Sequence, residues 1–196
     1  MKLIISIMAI LAILFAATAV FAGVNLPQTG QTTCYDASGR VIPCQGTGQD
    51  AEIGMGTAWP DWRFYFGTEA EADCVTDNLT GLMWARNGNL PGSKKTWTEA
   101  IDYVTGINNS GGLCGYNDWR LPNINEIESL VNAQEPNTAE WLNAQGFNNV
   151  QSDLYWTSTS YSRFAYYGWL LNLYYGHMDI FDKSNPAYVW AVRSGD

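Results

Sequence analysis

The chain has 196 residues, with 10 Lys and Arg against 19 Asp and Glu, so its formal net charge is −9. The acidic residues are scattered rather than grouped in blocks, which is typical of a solvated acidic surface. Such a surface repels nucleic acids, anionic lipids and sulfated polysaccharides at long range, and no nucleic-acid partner is expected.

The N-terminus has the pattern of a secretory signal peptide. Lys2 precedes an apolar run over residues 3–21, and Val20-Phe21-Ala22 supplies the small residues that a signal peptidase reads. The sequence therefore predicts a signal peptide over residues 1–22, cleavage before Gly23 and an extracytoplasmic location. The alternative is a retained N-terminal anchor, because the run is just long enough to span a bilayer. Only in that case would the protein contact a membrane.

Four cysteines in an exported chain predict disulfides, for which three pairings are possible. Cys34 and Cys44 flank the turn-type residues 36–39, so a bridged hairpin is the economical pairing. That choice leaves Cys74 to pair with Cys114. A zinc site is the alternative, but these spacings and the single His177 do not supply the close ligand pairs that zinc needs. No metal is therefore expected.

After the signal peptide, the pattern changes from turns to helices. Residues 23–67 are rich in Gly, Thr and Gln and contain three prolines, which predicts an irregular arm pinned by a disulfide. Thr96 and Glu99 form a capping box before an apolar helical pattern that ends at Gly111-Gly112. Asn123 and Glu126 form a second capping box directly after Pro122, which predicts the start of a second helix. A third short helix is expected over residues 138–144, before Gly146.

The last stretch, residues 151–196, is rich in aromatic and β-branched residues. Three strands are expected at residues 155–159, 168–175 and 188–192, and turn residues separate them. Helices followed by strands predict an α+β domain over residues 68–196, with two to three short helices packed on an antiparallel sheet.

Five motifs support a family resemblance. In order they are Thr76 to Trp84 (TDNLTGLMW), the helix start Thr96-Trp97, Asp118 to Asn123 (DWRLPN) with Glu126-Ile127, Tyr155 to Thr159 (YWTST), and Val192-Arg193. Together they resemble the Lcl C-terminal domain family, named after the C-terminal domain of a collagen-like bacterial adhesin. The resemblance implies a bacterial exported or surface protein with a C-type-lectin-like fold. In the adhesin, the domain is associated with trimer formation and glycosaminoglycan binding.

This chain departs from the adhesin in two respects. It has no collagen-like Gly-x-y stretch, so that trimerising device is absent from the sequence. It is also strongly acidic, which disfavours heparin-type ligands. The adhesin's ligand is therefore not transferred to this chain.

Several polar residues are candidates for a site. Asp118 and Arg120 are alternate residues of an extended motif, so their side chains point the same way and are expected to form a buried structural ion pair. Binding a shared partner is the alternative for this pair. Glu135-Pro136-Asn137 matches the triplet with which C-type lectins bind calcium and sugar. In those lectins a Trp-Asn-Asp motif lies downstream of the triplet, and this chain lacks it there. Asp77 and Asn78 could ligate calcium, although turn capping explains them equally well.

Aromatic residues are the strongest anomaly of the composition, with 9 Trp, 11 Tyr and 7 Phe. Most of them must fill the core, but strand alternation sends some of the C-terminal rings outward. The expected contact surface is an aromatic-rich sheet that carries Tyr166, Tyr167, Trp169, Tyr174 and Tyr175. The competing expectation is that the arm covers these rings.

These patterns predict a non-enzymatic binding or adhesion module at the cell surface. No catalytic constellation is recognisable, since His177 has no nucleophile or paired acid near it in the sequence. No cofactor is expected. The expected partner is a surface glycan, a surface protein or further copies of the chain. The alternative function is a structural subunit of a surface assembly or filament.

Overall fold

The computed structural model describes residues 26–195, so the predicted signal peptide lies outside the described residues. Within this range, four helices and nine strands confirm the predicted α+β class. The helices are α1 Asp50–Ile53, α2 Trp97–Asn109, α3 Ile124–Glu128 and α4 Thr138–Gln145. The strands are β1 Cys34–Tyr35, β2 Val41–Ile42, β3 Phe64–Phe66, β4 Cys74–Asp77, β5 Leu82–Ala85, β6 Leu154–Ser160, β7 Tyr167–Asn172, β8 His177–Asp182 and β9 Val192–Ser194.

The strands form three antiparallel sheets in the described residues. A small hairpin pairs β1 with β2, a four-stranded sheet has the order β3-β4-β5-β9, and a three-stranded sheet has the order β6-β7-β8. The final strand β9 crosses back to pair with β5, with Trp84 opposite Val192. The two ends of the domain are therefore joined in one sheet.

Local capping signals fix the helix starts. Glu99 accepts the backbone N–H of Thr96 at 2.9 Å, and Asn123 and Glu126 cap each other at the start of α3. The Asn137 side chain accepts two backbone N–H groups at the start of α4, so the triplet that resembled a lectin site caps a helix. Helix α4 ends at Gly146 in the left-handed region, with φ of 113°.

Three tryptophans lie at the centre of the core, and two of them, Trp84 and Trp156, belong to the family motifs. Trp84, Trp156 and Trp190 are fully buried, and the Trp84 and Trp190 rings meet edge to face at 5.6 Å. The Trp156 indole donates to the carbonyl of Lys95 at 2.9 Å, and that of Trp190 to the carbonyl of Ala85 at 2.7 Å. Backbone carbonyls therefore satisfy the indole N–H groups of Trp156 and Trp190, whereas the indole N–H of Trp84 is buried without an acceptor in the described residues.

Three strand regions differ from the sequence-based expectation. The hairpin of β4 and β5 lies where helical signals dominate the surrounding sequence, and its turn is made by Asp77 and by Gly81 at φ of 71°. Strand β8 follows Gly176 and was not expected, although its residues alternate in exposure as an edge strand does. Most of residues 188–192 lie outside regular strands, and only Val192 belongs to one.

Both disulfides form as predicted. Cys34 bonds Cys44 across the first hairpin, and Cys74 bonds Cys114 over a separation of 40 residues. The second bond ties β4 to the segment after α2. Two closed disulfides indicate an oxidising, extracytoplasmic environment. Within residues 26–195 there is no helix of the length and apolarity that a membrane span requires.

The arm is folded onto one side of the domain. The Gln134 side chain accepts the backbone N–H groups of Thr32 and Thr33 at 2.8 and 3.0 Å, and Trp59 packs on Trp141 at 5.6 Å. Strand β3, which lies within the segment predicted as irregular, pairs with β4 and so belongs to the domain sheet.

A buried ion pair joins the arm to the domain. Arg63 donates from two nitrogens to the two carboxylate oxygens of Asp77, both at 3.1 Å, and from one of them to the carbonyl of Ser129 at 2.6 Å. The two side chains are only 5% and 0% exposed. Asp77 also accepts from Leu79 and Thr80, so it caps the turn and is not arranged as a calcium ligand.

The predicted ion pair between Asp118 and Arg120 is wrong. Arg120 is 43% exposed and binds Glu126 through two hydrogen bonds of 2.7 Å, whereas Asp118 binds Arg193 at 2.7 Å. The Arg193 hydrogen bond, followed by the Arg193 charge, lowers the pKa of Asp118. The reason is tertiary: α3 turns Glu126 back towards Arg120, and β9 brings Arg193 beside Asp118.

We expect Asp77→Asn to destabilise the protein by about 3–5 kcal/mol, because it leaves the Arg63 charge buried without a counter-ion. Urea denaturation of the oxidised protein measures this loss. The matched control is Asp36→Asn, whose carboxylate pairs with Arg40 at the surface and whose loss should be far smaller. Equal stability losses in the two variants would contradict a structural role for the buried pair.

The Arg120–Glu126 pair should make stability depend on acid pH. Partial burial raises the pKa of Glu126, but the hydrogen bonds from Arg120 and Asn123 together lower it below its ordinary value near 4.5. Its contribution is therefore present above about pH 4.5 and is lost as the pH falls through the lowered pKa. Glu126→Gln should cost roughly 1 kcal/mol or less at pH 7, after solvent screening, and nothing near pH 2. A loss that is the same at both pH values would contradict this.

Candidate functional site

The β6-β7-β8 sheet has two distinct ends. The loop over residues 161–166 connects β6 to β7 at one end, called here the distal end, and the turn over residues 173–176 connects β7 to β8 at the other, the proximal end. The six residues of β7 separate the two ends by about 20 Å at ~3.3 Å per residue. The arm packs beside α3 and α4, where the C-terminal end of α3 approaches Gly176 of the proximal turn.

Five rings form a continuous row at the distal end. Successive ring centroids lie 5.5, 6.2, 5.9 and 4.6 Å apart. In order, the members of this distal aromatic row are Trp169, Tyr161, Phe164, Tyr166 and Tyr167. Phe164 is 44% exposed and Tyr166 is 57% exposed with the arm in place, so the expectation that the arm covers these rings is wrong for this row.

Strand geometry sets which rings face outward. Gly168 lies between Tyr167 and Trp169, and a Cβ there would come within 3.1 Å of Trp156 and 3.2 Å of Trp97. This face of β7 therefore packs closely on two indoles, and alternation directs Tyr167 and Trp169 to the opposite face. The glycine is needed for close packing on the core side of the strand.

Backbone hydrogen bonds hold the loop that presents the row. The N–H of Tyr161 donates to the carbonyl of Tyr167 at 3.0 Å, and that of Tyr167 donates to the carbonyl of Phe164 at 2.9 Å. The Lys183 ammonium donates to the Ser160 hydroxyl at 2.7 Å and to the carbonyl of Ala165 at 3.0 Å. A contact surface fixed in this way loses little conformational entropy on binding.

Two cations border the row. The Arg163 guanidinium lies 5.5 Å from the centroid of the Phe164 ring, and the Lys183 ammonium lies 3.9 Å from that of Trp97. Neither cation forms an ion pair with a carboxylate of residues 26–195. The distal end therefore carries two cations beside its rings against the carboxylate of Asp182, which lies opposite Tyr167, on a protein of net negative charge.

The predicted contact residues fall into two groups. Tyr166, Tyr167 and Trp169 belong to the distal row, whereas Tyr174 and Tyr175 lie at the proximal turn. The proximal rings are 46% and 69% exposed and contact each other at 4.6 Å. One aromatic surface was expected, but the structure has two.

A groove opens at the proximal end between the arm and α3. Its volume is about 520 Å³, and it is lined mainly by apolar atoms. Its arm wall includes Leu26 and Pro27, its opposite wall includes Val131 and Ala133, and Gly176 of the proximal turn borders it. Glu128 is exposed on the α3 side. This space is called here the proximal groove.

The remaining candidate site residues are in disulfides, ion pairs or ring contacts. The four cysteines are all in disulfides, and Asp118 and Arg120 are engaged in the two separate ion pairs. His177 stacks on Tyr175 with ring centroids 5.6 Å apart. In residues 26–195, no group of three or more His, Cys, Asp or Glu side chains is placed to hold a metal ion.

Three members of the site were missing from the predicted set. Tyr161 and Phe164 complete the row, and Lys183 fixes its loop through Ala165 and Ser160, which are 18 and 23 residues away in the chain. The richness of residues 161–175 in rings was a signal for the first two. No local pattern identifies Lys183, because its role depends on the pairing of β7 with β8.

Comparison with known proteins gives a family match. A search of curated proteins found no match to the sequence. The model of the Lcl C-terminal domain matches residues 73–193, which run from just before β4 into β9 and include the distal row. This chain therefore belongs to the Lcl C-terminal domain family.

Proposed function

We propose that this protein is a non-enzymatic binding or adhesion module of the cell surface, and that the distal aromatic row is its contact surface. The observation that supports this most directly is the continuous row of five rings, of which Phe164 and Tyr166 are exposed. Exposed aromatic patches on a rigid frame are typical of interaction sites.

The chemistry of the row favours two kinds of ligand. Flat ring faces accept the apolar face of a sugar ring, and the hydroxyls of Tyr161, Tyr166 and Tyr167 supply hydrogen bonds beside them. The same faces accept apolar side chains of a protein partner, with Arg163 available for a carboxylate. A surface glycan or a protein is therefore the proposed partner.

A structural subunit of a surface assembly is the second candidate. The observation that favours it is the pair of unlike surfaces at opposite ends of one sheet, the distal aromatic row with its two cations and the apolar proximal groove. A protein with a different surface at each end can add copies of itself in one direction.

We expect Tyr166→Ala to weaken binding by about 1–2 kcal/mol, or roughly tenfold in Kd, with little change in melting temperature. Binding is measured on a glycan array and to immobilised wild-type chain, using the oxidised mature protein. Tyr65→Ala is the matched control, because Tyr65 is 56% exposed but lies on β3, away from the row. If the wild type binds and Tyr166→Ala binds equally well to each ligand, the row is not the contact surface.

A further inference from the structure

The proximal groove has an acidic and apolar entrance. Glu128 lines it with an exposed carboxylate that pairs with no cation of residues 26–195. Leu26 is 66% exposed on the arm side. The N–H of Thr57 donates to the carbonyl of Leu26 at 2.8 Å, which holds this wall of the groove in place. An apolar surface of this kind with an unpaired acid fits a partner that presents apolar rings and a cation.

The distal row has the complementary chemistry. It presents Phe164 and Tyr166 as exposed rings and Arg163 as a cation without a carboxylate partner in the described residues. Of the nine Lys and Arg residues described, five are in ion pairs with carboxylates of the same chain, and Arg163 is among the four that are not. The cation beside the exposed rings is therefore available to a second molecule.

We infer that the distal row of one copy binds the proximal groove of a second copy, with Arg163 opposite Glu128 and the exposed rings in the apolar part. This inference rests on the proposed function, because it uses the same row as the contact surface. It names the occupant of the groove as another copy of the chain, on the ground of complementary charge and apolar surface.

The geometry determines the type of assembly. The row and the groove lie at opposite ends of the β6-β7-β8 sheet, so the contact joins two different surfaces. A contact of this kind leaves a free groove on one copy and a free row on the other. Addition can continue in one direction, and the product is a head-to-tail oligomer, an open chain or a ring according to the rotation between copies, rather than a twofold dimer.

Charge reversal tests the contact directly. Sedimentation equilibrium of the oxidised mature protein over a range of concentrations should give an average mass that rises beyond that of a dimer. Arg163→Glu and Glu128→Arg should each weaken the association constant at least about tenfold, because each places like charges together. The double variant Arg163→Glu/Glu128→Arg should associate again, since the charges are exchanged. Asp102→Lys, at an exposed position of α2, is the control for net charge and should associate as the wild type does.

The outcomes separate this inference from the proposed function. A wild type that stays monomeric, a mass that stops at a dimer, unaffected single variants or a double variant that does not recover would each overturn the head-to-tail contact. If Tyr166→Ala still loses glycan binding in that case, the proposed function stands and the groove has another occupant. If Tyr166→Ala binds glycan and immobilised wild-type chain as the wild type does, the distal row is not the contact surface.

Discussion

The buried pair of Arg63 and Asp77 is the constraint on which the arrangement of the molecule depends. It connects the arm to the β4–β5 turn through two hydrogen bonds and to the end of α3 through the carbonyl of Ser129. Arg63 also lies over the rings of Trp59 and Phe64, so the guanidinium is enclosed by aromatic faces as well as by acceptors. A desolvated charge is costly when its counter-ion is lost, so moving Arg63 away from Asp77 is unfavourable and the pair fixes this part of the arm in one position.

The position of the arm decides which surfaces remain open. Because Arg63 holds the arm near the C-terminal end of α3, the arm forms one wall of the proximal groove and leaves the distal row uncovered. The core tryptophans fix the other side, since Gly168 lets β7 approach Trp97 and Trp156 closely. The exposed rings at the distal end are therefore a consequence of how the sheet and the arm are anchored, and both proposals depend on this exposure.

Much of the fold could be predicted from local sequence signals. The capping boxes at Thr96 and Asn123 give the starts of α2 and α3, and the spacing of the cysteines gives both disulfides. The predicted ion pair failed because its partners depend on the folded arrangement. Arg120 pairs with Glu126 of α3 and not with Asp118, and Asp118 pairs with Arg193 of β9. The candidate rings were visible in the composition, but their division between two ends depends on the turn after β7.

The most direct test of the account is tyrosine footprinting on the native cell surface, compared with the purified monomeric chain. If the distal row is the contact surface, radical labelling of Tyr166 should fall on the cell surface relative to the purified chain, while Tyr65 is labelled equally in both. The two residues are matched for exposure in the isolated chain, at 57% and 56%. Equal labelling of Tyr166 in both preparations would contradict the account.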